Sequence, residues 1–257
     1  MTSSAPFFSG EGITLRFGGV TALHDVAFSV ASGTVHAMIG PNGAGKTSLF
    51  NVITGFYAPD AGTVLLDGET LSGRPPHAIA QRGIVRTFQN LEIFTNMTVL
   101  ENVLTGAHLS GKYGPLEFFL RTPRYFREER RLRDEAMAEL DFVGLAGEAA
   151  LPAGQLPFGS QRLLEIARAL AARPRLLLLD EPAAGLNIRE TAALGALIRR
   201  IVTRGITVLM VEHDMALVMD ISDRVLVLNY GEVLAEGTPV EVQRNPAVVA
   251  AYLGEEG

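Results

Sequence analysis

Eight consecutive residues, Gly40-Pro41-Asn42-Gly43-Ala44-Gly45-Lys46-Thr47, match the pattern G-x-x-x-x-G-K-[ST]. Glycines at this spacing let backbone N–H groups close around phosphate oxygens, and a helix starting at the end of the run points its positive end at them. Lys46 is placed to reach the β- and γ-phosphates, and the Thr47 hydroxyl to ligate Mg²⁺. Gly40, Asn42, Gly43, Ala44, Gly45, Lys46, Thr47 and the next residue, Ser48, are therefore the candidate phosphate cradle.

A second group lies far along the chain. Leu176-Leu177-Leu178-Leu179 runs into Asp180-Glu181. An apolar strand ending in two acids is a weak signal alone, but phosphoryl transfer needs these parts beside a phosphate loop. Asp180 is then suited to hold Mg²⁺ through water, and Glu181 to accept a proton from an attacking water.

The elements that must position these groups are legible. Val35–Ile39 reads as a short, mostly apolar strand feeding the glycine-rich run, and a helix follows from Ser48 to Thr54. Ile13–Phe17, His24–Val30, Gly62–Leu66 and Gly83–Arg86 read as further strands, and Val99–His108 as a helix. Leu176–Leu179 and Ile206–Val211 lack polar alternation, as expected of central parallel strands buried on both faces. Ser160–Ala172 reads as an amphipathic helix with Arg162, Glu165 and Arg168 on its polar face. Asn187 with Glu190 resembles a capping box. Val225–Leu228 and Val233–Glu236 read as a hairpin around Tyr230-Gly231, and two short helices finish the chain. Residues 109–135 open with glycines and aromatics and turn strongly basic, with a helical pattern from about Glu128 to Phe142. The six arginines from Arg121 to Arg133 are expected to form a solvated face paired with Glu128, Glu129 and Asp134, the alternative being a contact with a permease loop or anionic lipid head groups.

Strands alternating with helices give an α/β fold with a mainly parallel sheet, and the β-rich start and helix-rich middle add an antiparallel β lobe and a helical lobe. The 257 residues fit one large domain. Its lobes are expected at 11–90 plus 173–257, and at 91–172 with a basic insertion near 109–133. Net charge is -6, so no basic footprint for nucleic acid is present. Zero cysteines leave no disulfide framework and no Cys-based metal site. Met1–Gly10 does not read as a signal peptide, and no stretch of 18 or more apolar residues occurs. Any role at a membrane would depend on another protein holding the chain there.

With these groups in place, the chain resembles a nucleotide-binding subunit of an ABC transporter, from about Gly12 to Leu253, with the motifs in family order. The resemblance implies an ABC-type P-loop ATPase core using ATP and Mg²⁺. It implies adenine stacking by Phe17, and a loop glutamine at Gln89 that touches Mg²⁺ and couples to the membrane partner. Leu156–Arg162 matches the signature motif, which puts Phe158, Gly159, Ser160 and Gln161 against a partner's nucleotide. Ala183–Asn187 resembles the loop that crosses the dimer interface, and His213 the switch histidine on the γ-phosphate. Pro157 and Ser160 depart from the commoner Ser and Gln of that motif, although Gly159 and Ser160 still offer backbone N–H groups.

The stretches "GIVRTFQNLEIFTNMTVLENVLTGAH", "LLLLDEPAAGLN" and "VEHDMALVMDISDRVLVLNYGEVLAEGTP" are similar to the ATPases of branched-chain (hydrophobic) amino acid importers. That implies hydrophobic permease subunits as partners, a second ATP-binding subunit in a homo- or heterodimer, and indirectly a periplasmic or extracellular solute-binding protein. It places the chain peripherally on the cytoplasmic face of the cell membrane. Urea and amide importers share much of this pattern. An exporter or lipid-transport ATPase is a further alternative, and a soluble non-transport ABC ATPase a more distant one.

Overall fold

The structure, a computed structural model, describes residues 6–87, 92–107 and 122–253. Gln89 and the whole segment from 108 to 121 lie outside the described residues. Two sheets form the frame. Strands β1 (Phe8–Phe17), β2 (Val20–Val30), β4 (Ala61–Leu66) and β5 (Glu69–Thr70) make an antiparallel sheet in the order β2-β1-β4-β5. The larger sheet uses β3 (Val35–Ile39), β6 (Ile84–Arg86), β7 (Leu176–Asp180), β8 (Thr207–Val211), β9 (Arg224–Asn229) and β10 (Glu232–Gly237). Its order is β10-β9-β3-β8-β7-β6, parallel except for the β9–β10 hairpin.

The unbroken apolar runs of β7 and β8 are explained by burial on both faces. Leu177 and Leu179 join one core with Val208 and Met210, while Leu176 and Leu178 join the other with Leu209 and Val211. The second core is closed by the antiparallel sheet through Phe8, Ile13, Leu23 and Val26, and by α1 (Lys46–Ile53) through Leu49, Phe50 and Ile53. The first is closed mainly by helices. These are α3 (Val99–Ala107), α4 (Pro123–Val143), α5 (Phe158–Ala171), α6 (Ile188–Thr203) and α7 (Met215–Ile221). The short α2 (Pro76–Ala80) precedes β6, and α8 (Pro239–Gln243) and α9 (Pro246–Leu253) end the described chain.

Local chemistry sets the element ends. Asn187 accepts from the N–H groups of Arg189 and Glu190, and Glu190 returns a bond to the Asn187 N–H, completing the expected capping box of α6. Helix α4 starts at Pro123, five residues before the expected Glu128, because Thr122 caps it and Pro123 fits its first position. It buries Leu132, Ala136, Leu140 and Val143, and Arg131 pairs with Glu128 at 2.6 Å and Glu135 at 2.8 Å.

One expectation is corrected. Helix α5 does not present its polar stripe to water: Arg162 and Glu165 are buried and paired at 2.9 Å. The helix packs against α3 and α4, so Arg162 and Glu165 pair with each other inside the fold while Arg168 stays half-buried. Among the described residues no helix is long and apolar enough to cross a membrane.

Candidate functional site

Three neighbouring parallel strands deliver the site. The glycine-rich loop follows the end of β3, Asp180 and Glu181 stand at the end of β7, and Glu212-His213 follows β8, which lies between them. The carboxyl edge of such a sheet is where ligands of open α/β folds bind. A cavity of about 490 Å³ opens there, lined by residues from Asn42 to Ser48 together with Glu181, His213, Val20 and Tyr230.

The loop is held by close packing. Gly45 caps α1 with φ 101°, and a Cβ there would meet the Ala22 carbonyl oxygen at 2.8 Å. Lys46 is buried, and its ammonium donates to the carbonyl oxygens of Gly40 (2.5 Å) and Pro41 (2.8 Å) at the loop's base. No acid occupies the first turn of α1, so the positive helix end faces the cavity without an internal anion. Thr47 is exposed at that turn.

Glu181 sits in the left-handed region at φ 47°. For a residue with a side chain this costs of order 1–3 kcal/mol, and such strain persists only where the surroundings fix it. Here the Glu181 N–H donates to the Val211 carbonyl at 2.9 Å, and its own carbonyl accepts from the Ala184 N–H at 3.1 Å. The side chain is thereby turned toward His213, whose Nε2 lies 2.9 Å from Glu181 Oε1. Asp180 is buried behind them, its Oδ2 accepting from Arg86 Nη2 at 2.6 Å.

Sequence reasoning passed over Glu212. This buried carboxylate accepts from the Ala183 N–H (2.7 Å) with one oxygen, and from the His213 (2.8 Å) and Asp214 (3.2 Å) N–H groups with the other. It ties the 183–187 turn to the loop carrying His213. Its signal is the same one that marks Asp180: an acid directly after a run of apolar strand residues. Arg86 and Asn51 were also missed, having no local pattern to mark them.

Phe17, Phe158, Gly159, Ser160 and Gln161 are not among the residues that line the cavity. Phe17 lies at the β1–β2 turn, three residues before cavity-lining Val20, with its ring edge-on to Tyr57 at 5.1 Å between centroids. Phe158, Gly159 and Ser160 start α5 on another part of the surface, next to the 183–187 turn. The Phe158 ring packs where Gly185 has φ 80°, and a Cβ at Gly185 would stand 2.8 Å from it. Gln161 turns back, donating to the Leu156 carbonyl at 2.9 Å. The signature and the phosphate loop of one chain therefore form two separate surfaces.

The sequence profile of the family described as "ABC transporter" matches residues 23–184, and that of "Branched-chain amino acid ATP-binding cassette transporter" matches residues 232–257. The chain is 49% identical over 253 residues to the high-affinity branched-chain amino acid transport ATP-binding protein BraF of Pseudomonas aeruginosa, covering 98% of this chain and 99% of that one. It is 46% identical to LivG, the corresponding protein of Escherichia coli strain K12, with the same coverage. The crystal structure of a nucleotide-free ATP-binding cassette from an ABC transporter is similar with a TM-score of 0.84 and 34% identity, covering 96% of this chain and 98% of that one. The crystal structure of the ADP conformation of an ATP-binding cassette of an ABC transporter is similar with a TM-score of 0.83 and 33% identity, with the same coverage.

Proposed function

The chain belongs to the ATP-binding subunits of ABC transporters and is an ATPase, and from that premise we propose that it powers an importer of branched-chain or other hydrophobic amino acids. The observation that carries the chemistry is the convergence of Lys46, Thr47, Glu181 and His213 on one cavity. The likeness to BraF and LivG over nearly the full length supports the solute class.

ATP places its phosphates against the loop from Gly40 to Ser48, with Lys46 moving from the loop carbonyls to the β- and γ-phosphates. Phe17 stacks on the adenine. The exposed Thr47 hydroxyl and the Asp180 carboxylate are hard oxygen donors of the kind Mg²⁺ takes, and with Gln89 they would hold it. Bound with the nucleotide, Mg²⁺ neutralises charge on the phosphates. Glu181 takes the proton of the attacking water, and His213 orients Glu181 and contacts the γ-phosphate.

A second ATP-binding subunit completes the site. Phe158, Gly159, Ser160 and Gln161 lie apart from their own chain's phosphate loop, which suits a head-to-tail pair in which each signature faces the other's nucleotide. Completing a phosphoryl-transfer site in trans is worth about 10³ to 10⁵ in rate where it has been measured for arginine fingers. We read 1–257 as a single ATPase domain. Residues 11–90 and 173–257 form the core with its β lobe, and 91–172 the helical lobe. Hydrophobic permease subunits hold it at the cytoplasmic face of the membrane, and a solute-binding protein acts on it through them.

The test is to tag the chain, extract membranes in mild detergent and identify what co-purifies. A pair of hydrophobic permeases with a second ATPase is the expected result. A chain that brings down no membrane protein would overturn the importer reading and leave the ATPase.

A further inference from the structure

Arg86 ends β6, the strand paired with β7, and so reaches the acid that ends β7. Its Nη2 donates to Asp180 Oδ2 at 2.6 Å, and its Nη1 donates to Asn51 Oδ1 at 2.8 Å. The guanidinium also stands 5.4 Å from the centroid of the Phe50 ring. Asn51 and Phe50 both lie on α1, the helix that follows the phosphate loop. The Arg86 and Asp180 side chains are only 7% and 8% exposed.

We propose that Arg86 competes with the divalent cation for Asp180, so that metal enters this site only together with nucleotide. The inference rests on the reading of Asp180 as a metal-holding acid. A guanidinium cannot shed its charge by deprotonation in a protein. Its positive charge within a few ångströms opposes a second cation at the same carboxylate. Asn51 and Phe50 hold it in place, so it cannot simply drift into solvent. Without metal, Arg86 spares Asp180 the cost of a buried, unpaired charge. The phosphates of ATP bring several negative charges to the same place, and they shift the balance toward the metal. Arg86 is thus a positioning residue whose effect is read in metal affinity.

The experiment is a Mn²⁺ titration of the purified chain, followed by the spin-resonance signal of free Mn²⁺, with and without ATP. In wild type, Mn²⁺ binds with ATP and not alone. In Arg86→Met, which keeps an apolar stem against Phe50, the half-saturating Mn²⁺ with ATP falls by about tenfold or more, the scale of removing one neighbouring like charge. Binding of Mn²⁺ without ATP also becomes measurable. Arg86→Lys retains the wild-type demand for metal. If half-saturation in Arg86→Met is unchanged or rises, the proposal is wrong. If that variant does not fold, Asn51→Leu frees one anchor and must lower half-saturation in the same direction; an unchanged or raised value overturns the proposal. Asp180→Asn separates the two layers. Loss of Mn²⁺ binding there supports the premise, and an unaltered response removes the premise itself.

Discussion

His213 Nε2 and Glu181 Oε1 stand 2.9 Å apart although they lie just past the ends of different strands, β8 and β7. The contact joins the candidate general base to the residue that would contact the γ-phosphate, so the two should act as a unit. His213→Ala is expected to lower steady-state phosphate release by about 10²-fold or more, the range for loss of acid–base assistance. Added to Glu181→Gln it should cause little further loss, because residues acting together are non-additive. Losses that multiply in the double variant would show that the contact is incidental.

Glu212 is predicted to matter without touching nucleotide. Its carboxylate receives three backbone N–H groups from two loops. Glu212→Gln leaves part of that buried set unsatisfied, at a cost of about 1–3 kcal/mol. A melting temperature lower by a few degrees is expected, together with reduced hydrolysis as Glu181 and His213 lose their fixed spacing. Thermal unfolding and phosphate release measured on the same preparation check both. An unchanged rate would confine Glu212 to stability.

Much of this arrangement was legible in the sequence. The bounds of Val35–Ile39 match those observed, and Leu176–Leu179 and Ile206–Val211 come within one residue of theirs, since a strand buried on both faces is a mostly apolar run that stands out from its flanks. The Asn187–Glu190 box was equally plain, being local chemistry. What escaped depended on distant partners. The polar stripe of α5 looked solvent-facing because its periodicity says nothing about the helices that cover it. Arg86 sits among residues of ordinary strand character, and only the fold brings it to Asp180. His24–Val30 was read four residues short because Val20–Leu23 pairs with β1 beyond the alternating stretch.

Phe17 should carry the base without affecting the phosphates. Phe17→Ala is predicted to weaken ATP and ADP binding alike, by about 1–3 kcal/mol for a lost aromatic–base stack, while Phe17→Tyr restores it. Titration calorimetry with both nucleotides checks this. Loss restricted to ATP would point to a phosphate-side effect instead.

Acid stability has a specific contributor at the start of α3. The backbone N–H of Thr98, and then its hydroxyl, hold the Glu101 carboxyl below the usual carboxylate range. A folded value below the unfolded one means that Glu101 stabilises the fold above the ordinary carboxylate pKa. That contribution is lost as pH falls through the lowered folded value. Glu101→Gln should therefore flatten the acid side of the stability profile and leave its shape near neutrality unaltered. Denaturant midpoints between about pH 3 and pH 7 check this, that range spanning the ordinary carboxylate pKa.

A single variant decides whether this cavity hydrolyses ATP with Glu181 as the base. Glu181→Gln keeps the shape and removes the proton acceptor. Expected are wild-type ATP affinity, phosphate release lower by about 10² to 10⁴, and a nucleotide-bound pair that persists on size exclusion because it cannot turn over. Hydrolysis at the wild-type rate in that variant would contradict this role of Glu181.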